Sequence, residues 1–126
     1  MRIVILVNTL QAVNSYVYNN HIAFFVKSYR DIKDLDIIFM TPPRMSVDTA
    51  RNEAAKLALN LEADYLMFID DDVMIPPGCL KVLLDADKDI IAGLVIIRGF
   101  PFNVMAFRYN DSKNLTYFQQ HDCLSH

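Results

Sequence analysis

The sequence is poor in the residues that mark several common classes of protein. Only three Gly occur in 126 residues, and neither a G-x-G-x-x-G nor a Walker A pattern is present, which argues against the usual dinucleotide and P-loop sites. Twelve Lys and Arg stand against fifteen Asp and Glu, so the net charge of −3 provides no basic footprint for nucleic acid. We therefore expect no nucleic-acid partner.

Cysteine and long apolar runs are also scarce. Cys79 and Cys123 are too few for a disulfide framework and poorly spaced for zinc, so free thiols in a reducing compartment are expected. The opening MRIVILVN is a poor signal peptide, and the longest apolar run, residues 90–97, is too short to span a bilayer. These features predict a cytoplasmic protein without a transmembrane segment.

What the sequence does contain is material for a core. Hydrophobic residues make up 53% of the chain, and its length suits a single domain over residues 1–126. Apolar runs predict strands at residues 3–7, 36–40, 65–69 and 90–97, whereas helical spacing predicts helices at residues 16–29, 46–61 and 77–84. This order predicts an α/β fold, a three-layer α/β/α sandwich with a mainly parallel sheet. After Pro101, "NVMAFRYN" and "NLTYFQQ" predict a small C-terminal β-hairpin.

The first predicted helix carries apolar side chains at a spacing that suggests its buried face. We predict that this face is formed by Tyr18, Ile22, Phe25, Val26 and Tyr29. His21 lies beside the stripe, and we interpret it as a structural residue.

Polar residues follow the predicted strands at the edge where parallel sheets bind ligands. They are Asn8, Thr9, Thr41, Asp70, Asp71 and Asp72. Three adjacent carboxylates after the apolar "LMFI" repel one another unless water or a cation offsets their charge. In an extended backbone Asp70 and Asp72 point to the same side, and paired carboxylates suit Mg²⁺ or Mn²⁺. The alternative is a solvated loop or a cap on the next helix.

The segment "ARNEAAKLALNLEADYLMFIDDDV", residues 50–73, resembles the core of the GT-A fold glycosyltransferases. The resemblance is to family-two-like members of the nucleotide-diphospho-sugar transferase superfamily. Their pattern is an Arg-Asn pair early in a helix, here Arg51-Asn52, and then a strand that ends in Asp-x-Asp, here Asp70-Asp71-Asp72. The resemblance covers about residues 1–109. Short phage, viral and prokaryotic members carry a similar stretch.

The resemblance implies a metal-dependent, hexosyltransferase-type glycosyltransferase that uses a nucleotide-sugar donor and a glycan, protein or lipid acceptor. It implies that Mn²⁺ or Mg²⁺ bridges the donor diphosphate and the motif, with Asp72 as the likeliest direct ligand and Asp70 binding the ribose or the metal through water. Asp71 is the variable middle position at the nucleotide-sugar site. The remaining residues that the resemblance brings to the nucleotide are Asn8, Thr9, Thr41 and Arg51. For Arg51, a salt bridge at the helix border is an equally good interpretation.

The sequence departs from the family pattern at two points. Many relatives have an Asp where Thr41 stands, so the nucleotide base is left open. No catalytic base is identified, because Asp111 and Asp122 are the only late carboxylates and neither has a suitable context. Since family members usually continue with an acceptor half, we expect this chain to be a donor-binding domain that lacks it.

Two other functions remain open at this point. A nucleotidyltransferase shares the layered α/β plan, but its glycine- and lysine-rich loop is replaced by "NTLQAVNS". A noncatalytic interaction protein on a GT-A scaffold would explain the expected missing half. The intact Asp70-x-Asp72 counts against it, because clustered charge is costly without a ligand.

Overall fold

The computed structural model describes residues 1–9 and 12–94 and the backbone of residues 107–109 and 115–117. Contacts divide the chain into two compact units, Met1–Asp87 and Lys88–His126. The prediction of a single domain over residues 1–126 stays a prediction.

The first unit is built around a parallel three-stranded sheet. Its elements are β1 (Arg2–Asn8), α1 (Ser15–Asp31), β2 (Asp36–Met40), α2 (Val47–Asn60), β3 (Tyr65–Asp70) and α3 (Cys79–Asp85). The strand order is β2-β1-β3, and both pairings of the central β1 are parallel. The α/β class and the first three predicted strands are therefore confirmed.

The central strand carries the core on both of its faces. Successive side chains of a strand point to opposite faces, and β1 is buried over its whole apolar run. On one face Ile3, Ile5 and Val7 pack with residues of α1 and α3, such as Phe24 and Leu80. On the other face Leu6 packs with Ala50 and Ala54 of α2. A continuous aliphatic run without alternation is what this two-sided burial requires.

The buried face of α1 differs from the predicted one. Tyr18, Ile22, Val26 and Tyr29 are exposed and Phe25 is half-buried, whereas the buried residues are Val17, His21, Phe24 and Ser28. The two stripes have the same helical spacing and are offset by one residue. The polar members of the buried stripe are tolerated because each has a hydrogen bond: Ser28 Oγ donates to the Phe24 carbonyl at 2.7 Å, and His21 Nε2 lies 2.9 Å from the Val73 carbonyl.

The second unit contributes two short strands. β4 (Phe107–Tyr109) and β5 (Leu115–Tyr117) pair antiparallel. Their connection lies outside the described residues, so the C-terminal hairpin stays a prediction.

The prediction of a strand at residues 90–97 is wrong for residues 90–94, which are not in a strand. Residues 95–97 lie outside the described part of the chain. An apolar run favours burial, but it forms a strand only where a neighbouring strand is available for hydrogen bonding. The three-layer sandwich around four strands likewise stays a prediction.

Arg2 makes polar contacts at the amino edge of the sheet. Arg2 Nε donates to Asp36 Oδ2 at 2.8 Å, and Arg2 Nη1 donates to the Leu61 carbonyl at 2.9 Å. A shallow depression of about 450 Å³ beside these contacts is lined by Met1, Asp64 and Tyr65. It lies at the edge opposite the acidic residues and carries none of the predicted site residues. Among the described residues, no helix is both long and apolar enough to cross a membrane.

Candidate functional site

The register of the sheet brings Asn8 and Asp70 together. Asn8 ends β1 and Asp70 ends β3, and the two residues are paired across the ladder at the carboxyl edge. Asn8 Oδ1 is buried and has no hydrogen-bond partner among the described residues. A buried acceptor without a donor is unfavourable, so this oxygen is suited to a ligand N–H or O–H.

Arg51 reaches the same edge from α2. Its Nη2 lies 3.8 Å from Asp70 Oδ1, and its guanidinium carbon lies 5.2 Å from the centre of the Phe68 ring. The distance to the carboxylate exceeds that of a hydrogen bond, so the contact is a loose ion pair. The Arg51 side chain is 48% exposed and that of Asp70 is 65% exposed, so water screens the ion pair. The ring contact is a cation–π interaction that orients the guanidinium beside the acidic residue.

The amino end of α2 faces the carboxyl edge of the sheet, because α2 follows β2 directly. Ser46 is the N-cap residue, but its side chain makes no capping hydrogen bond. The Ser46 hydroxyl lowers the pKa of Asp48 below its usual range, and the Thr49 backbone N–H adds to this effect. Ser46 Oγ is also 2.9 Å from Thr49 Oγ1; since a hydroxyl has one proton, it donates to one of these partners at a time.

The three aspartates lie in a tight turn. The Val73 N–H donates to the Asp70 carbonyl at 3.3 Å, which closes residues 70–73 into a turn that we call the acidic turn. Asp71 is half-buried, whereas Asp70 and Asp72 are exposed. The structure thus presents the outer two carboxylates of the motif to solvent at the binding edge.

The two predicted threonines lie at this edge as well. Thr9 forms a parallel bridge with Pro43, and its hydroxyl is 3.4 Å from the Ala12 carbonyl. Thr41 directly follows β2 and is exposed. The structure therefore brings Asn8, Arg51 and Asp70 into one cluster, with Thr9 and Thr41 on the neighbouring strand ends.

Three residues near the site were not assigned to it from the sequence. Phe68 was treated only as a strand residue, Asn20 was not singled out, and His21 was interpreted as structural. Phe68 could have been assigned to the site from the sequence, because it lies two residues before Asp70 and therefore on the same side of the strand. No sequence pattern marks Asn20, because its role depends on which loop passes the helix.

The chemistry of the acidic turn fits a cation whose coordination is completed by a ligand. No group of three or more His, Cys, Asp or Glu suited to holding a metal is found in the part of the chain that the structure describes. Asp70 and Asp72 offer hard carboxylate oxygens only. Mg²⁺ in proteins commonly takes one or two carboxylates plus waters and substrate phosphates, so a partial donor set of this kind is appropriate for it.

Comparison with protein families identifies the class. The model of glycosyl transferase family 2 matches residues 19–124, which is well over half of the chain. The chain therefore belongs to glycosyl transferase family 2, and the resemblance read from residues 50–73 is confirmed. Membership supports glycosyltransferase activity in general and implies a nucleotide-sugar donor and an acceptor. Comparisons with curated proteins and with solved structures return no match.

Proposed function

We propose that this chain binds a nucleotide-sugar donor at the carboxyl edge of its sheet and transfers the sugar with the help of a divalent cation held by Asp70 and Asp72. The observation that carries the proposal is the convergence of Asn8, Arg51 and Asp70 from three different elements. Family membership supports the reaction class, and the position of this cluster at the carboxyl edge of the sheet supports the proposal that the donor binds there.

Each member of the cluster has a distinct task in this proposal. Asn8 Oδ1, buried and without a partner among the described residues, accepts a hydrogen bond from the base or ribose. Arg51, oriented by Phe68, donates to a donor phosphate oxygen through its planar fork. Thr9 and Thr41 border the nucleotide at the ends of β1 and β2.

The acidic turn is assigned to the diphosphate. Asp72 and Asp70 would hold Mn²⁺ or Mg²⁺, and Asp71 lies between them near the nucleotide. The bound cation would act as a Lewis acid that stabilises negative charge on the departing nucleoside diphosphate. Asp70 and Asp72 would balance the charge of the cation and hold it beside the diphosphate. The group that activates the acceptor is not assigned.

The proposal is tested by calorimetry with UDP, GDP, CDP and dTDP in Mn²⁺. We expect one of them to bind, and Asp72→Asn to abolish the Mn²⁺-dependent part of its affinity because a direct ligand is lost. Asp71→Asn should have a smaller effect, since the middle residue is not a direct ligand.

Asp34→Asn is the matched control for this test. It removes the same charge, and Asp34 lies at the amino edge with a positive φ of 57°, which Asn also tolerates. Its affinity should equal that of the wild type. Equal binding by Asp72→Asn and the wild type in Mn²⁺ would contradict the metal assignment. Binding without sugar transfer to any acceptor would favour a noncatalytic module.

A further inference from the structure

The segment that follows the aspartates is tied to α1 by three hydrogen bonds. Asn20 Oδ1 accepts from the Ile75 N–H at 2.6 Å, and Asn20 Nδ2 donates to the Ile75 carbonyl at 2.7 Å. His21 Nε2 lies 2.9 Å from the Val73 carbonyl, and since that partner only accepts, Nε2 carries the proton. We call these contacts of Asn20 and His21 with Val73 and Ile75 the clamp.

The clamp lies at the border of the core, because His21 and Ile75 are buried whereas Asn20 and Val73 are half-buried. His21 is 5% exposed and Ile75 is 8% exposed, and the Ile75 side chain belongs to the core cluster that includes Phe24 and Leu80. The three bonds are thus partly shielded from water, and breaking one of them leaves a partly buried donor or acceptor without its partner. The segment is thus fixed both by its side chain and by its backbone.

The position of the clamp gives the acidic turn two anchored ends. At one end Asp70 belongs to β3 and is held by the ladder to Asn8 on β1. At the other end Val73 and Ile75 are held by residues in the first two turns of α1. Only Asp71 and Asp72 lie between the anchors. The spacing of the outer carboxylates is therefore determined by where β1 and α1 hold the two ends.

We propose that Asn20 and His21 are positioning residues, which act through the backbone of Val73 and Ile75 to preorganise Asp70 and Asp72 for the donor diphosphate. This inference rests on the proposed function. It assigns a binding role to two residues that hydrogen-bond the backbone of Val73 and Ile75. An unanchored turn would have to be ordered on binding, and that ordering would reduce the affinity.

The test compares Asn20→Ala with Tyr29→Phe. Asn20→Ala removes two side-chain hydrogen bonds from α1 to the backbone of Ile75. Tyr29→Phe removes one such bond at a different place, because Tyr29 Oη accepts from the Ile37 N–H at 3.2 Å, near the amino edge of the sheet. Two quantities are measured in the full chain: hydrogen exchange of amides in residues 70–75, and the dissociation constant of whichever of UDP, GDP, CDP and dTDP binds with Mn²⁺.

We expect Asn20→Ala to accelerate exchange in residues 70–75 and to raise the dissociation constant roughly tenfold, in line with the loss of two partly buried hydrogen bonds. Tyr29→Phe should lower the melting temperature without changing the dissociation constant. A second pair of variants, His21→Gln and His21→Leu, tests the clamp if Asn20→Ala does not fold. His21→Gln keeps a donor and should retain affinity, whereas His21→Leu removes the donor and should lose it.

The remaining outcomes are distinguishable. Faster exchange with an unchanged dissociation constant would overturn the positioning role and leave the proposed function in place. Unchanged exchange in both Asn20→Ala and His21→Leu would overturn the clamp itself. Absence of nucleotide binding by the wild type, with exchange still accelerated in the variants, would overturn the proposed function and retain the clamp as a structural device.

Discussion

At the scale of single residues, Arg51 is the side chain whose two interpretations differ most. Its ion pair with Asp70 is long and solvent-exposed, and such a pair contributes about 0–1 kcal/mol to stability. Stability alone therefore gives little reason for an Arg here. Its stacking on Phe68 beside the acidic turn instead holds a planar set of donors where the proposal places the phosphate.

This difference leads to a prediction for Arg51→Lys. Lysine keeps the charge but loses the fork that holds two acceptors at once. A lost charge-assisted hydrogen bond costs about 1.5–3 kcal/mol, so nucleotide affinity should fall roughly tenfold to a hundredfold. The free energy of unfolding should change by less than about 1 kcal/mol. A nucleotide titration beside a thermal melt measures both quantities.

Arg30→Lys is the control for this substitution, because Arg30 lies in the last turn of α1 and belongs to no part of the proposed site. It should bind nucleotide as the wild type does. An unchanged dissociation constant in Arg51→Lys would remove Arg51 from the site.

At the scale of elements, the sequence predicts a strand better than it predicts the face of a helix. β1, β2 and β3 each follow from a continuous apolar run, although only β1 is buried along the whole of its run. A strand that is buried on both faces, such as β1, needs no choice of side. The helix α1 did require a choice. Its tyrosines weighted the prediction toward the exposed stripe, because Tyr counts as apolar while His and Ser count as polar.

Tertiary contacts decide which stripe of α1 is buried. His21 is satisfied by a carbonyl from the loop after β3, which lies 52 positions away in the chain, and no local pattern contains that information. The same reason explains why Asn20 was missed. Residues at strand ends could be predicted as site residues because a parallel sheet brings its carboxyl ends together whatever the loops do.

The buried stripe can be tested by comparing Phe24→Ala with Val26→Ala. Phe24 is 0% exposed, so its truncation should lower the free energy of unfolding by about 3–5 kcal/mol. Val26 is 45% exposed, and alanine favours a helix more than valine does, so the change there should stay within about 0.5 kcal/mol. Urea denaturation measures both. Equal losses in the two variants would restore the face that the sequence predicted.

At the scale of the whole molecule, the site is assembled from elements that are distant in the chain. Asn8, Arg51 and Asp70 come from β1, α2 and β3, so binding at their junction should stabilise the first unit as a whole. A ligand that binds only the folded state stabilises it by about 2.7 kcal/mol at a hundred times its dissociation constant. For a chain of this size, that corresponds to a rise of several degrees in the melting temperature.

The incomplete donor set makes a sharper prediction about this stabilisation. Since no cage of three or more protein ligands occurs in the described part of the chain, Mn²⁺ alone should raise the melting temperature little. A nucleoside diphosphate alone should also raise the melting temperature little, because without a cation its negative charge is repelled by the aspartates. Together they should raise it by more than the sum of the separate shifts, since each completes the binding site of the other. Thermal melts with Mn²⁺, with nucleotide, with both, and with both plus a chelator measure this coupling. Simply additive shifts in the wild type would show that the metal and the diphosphate do not share a site at Asp70 and Asp72.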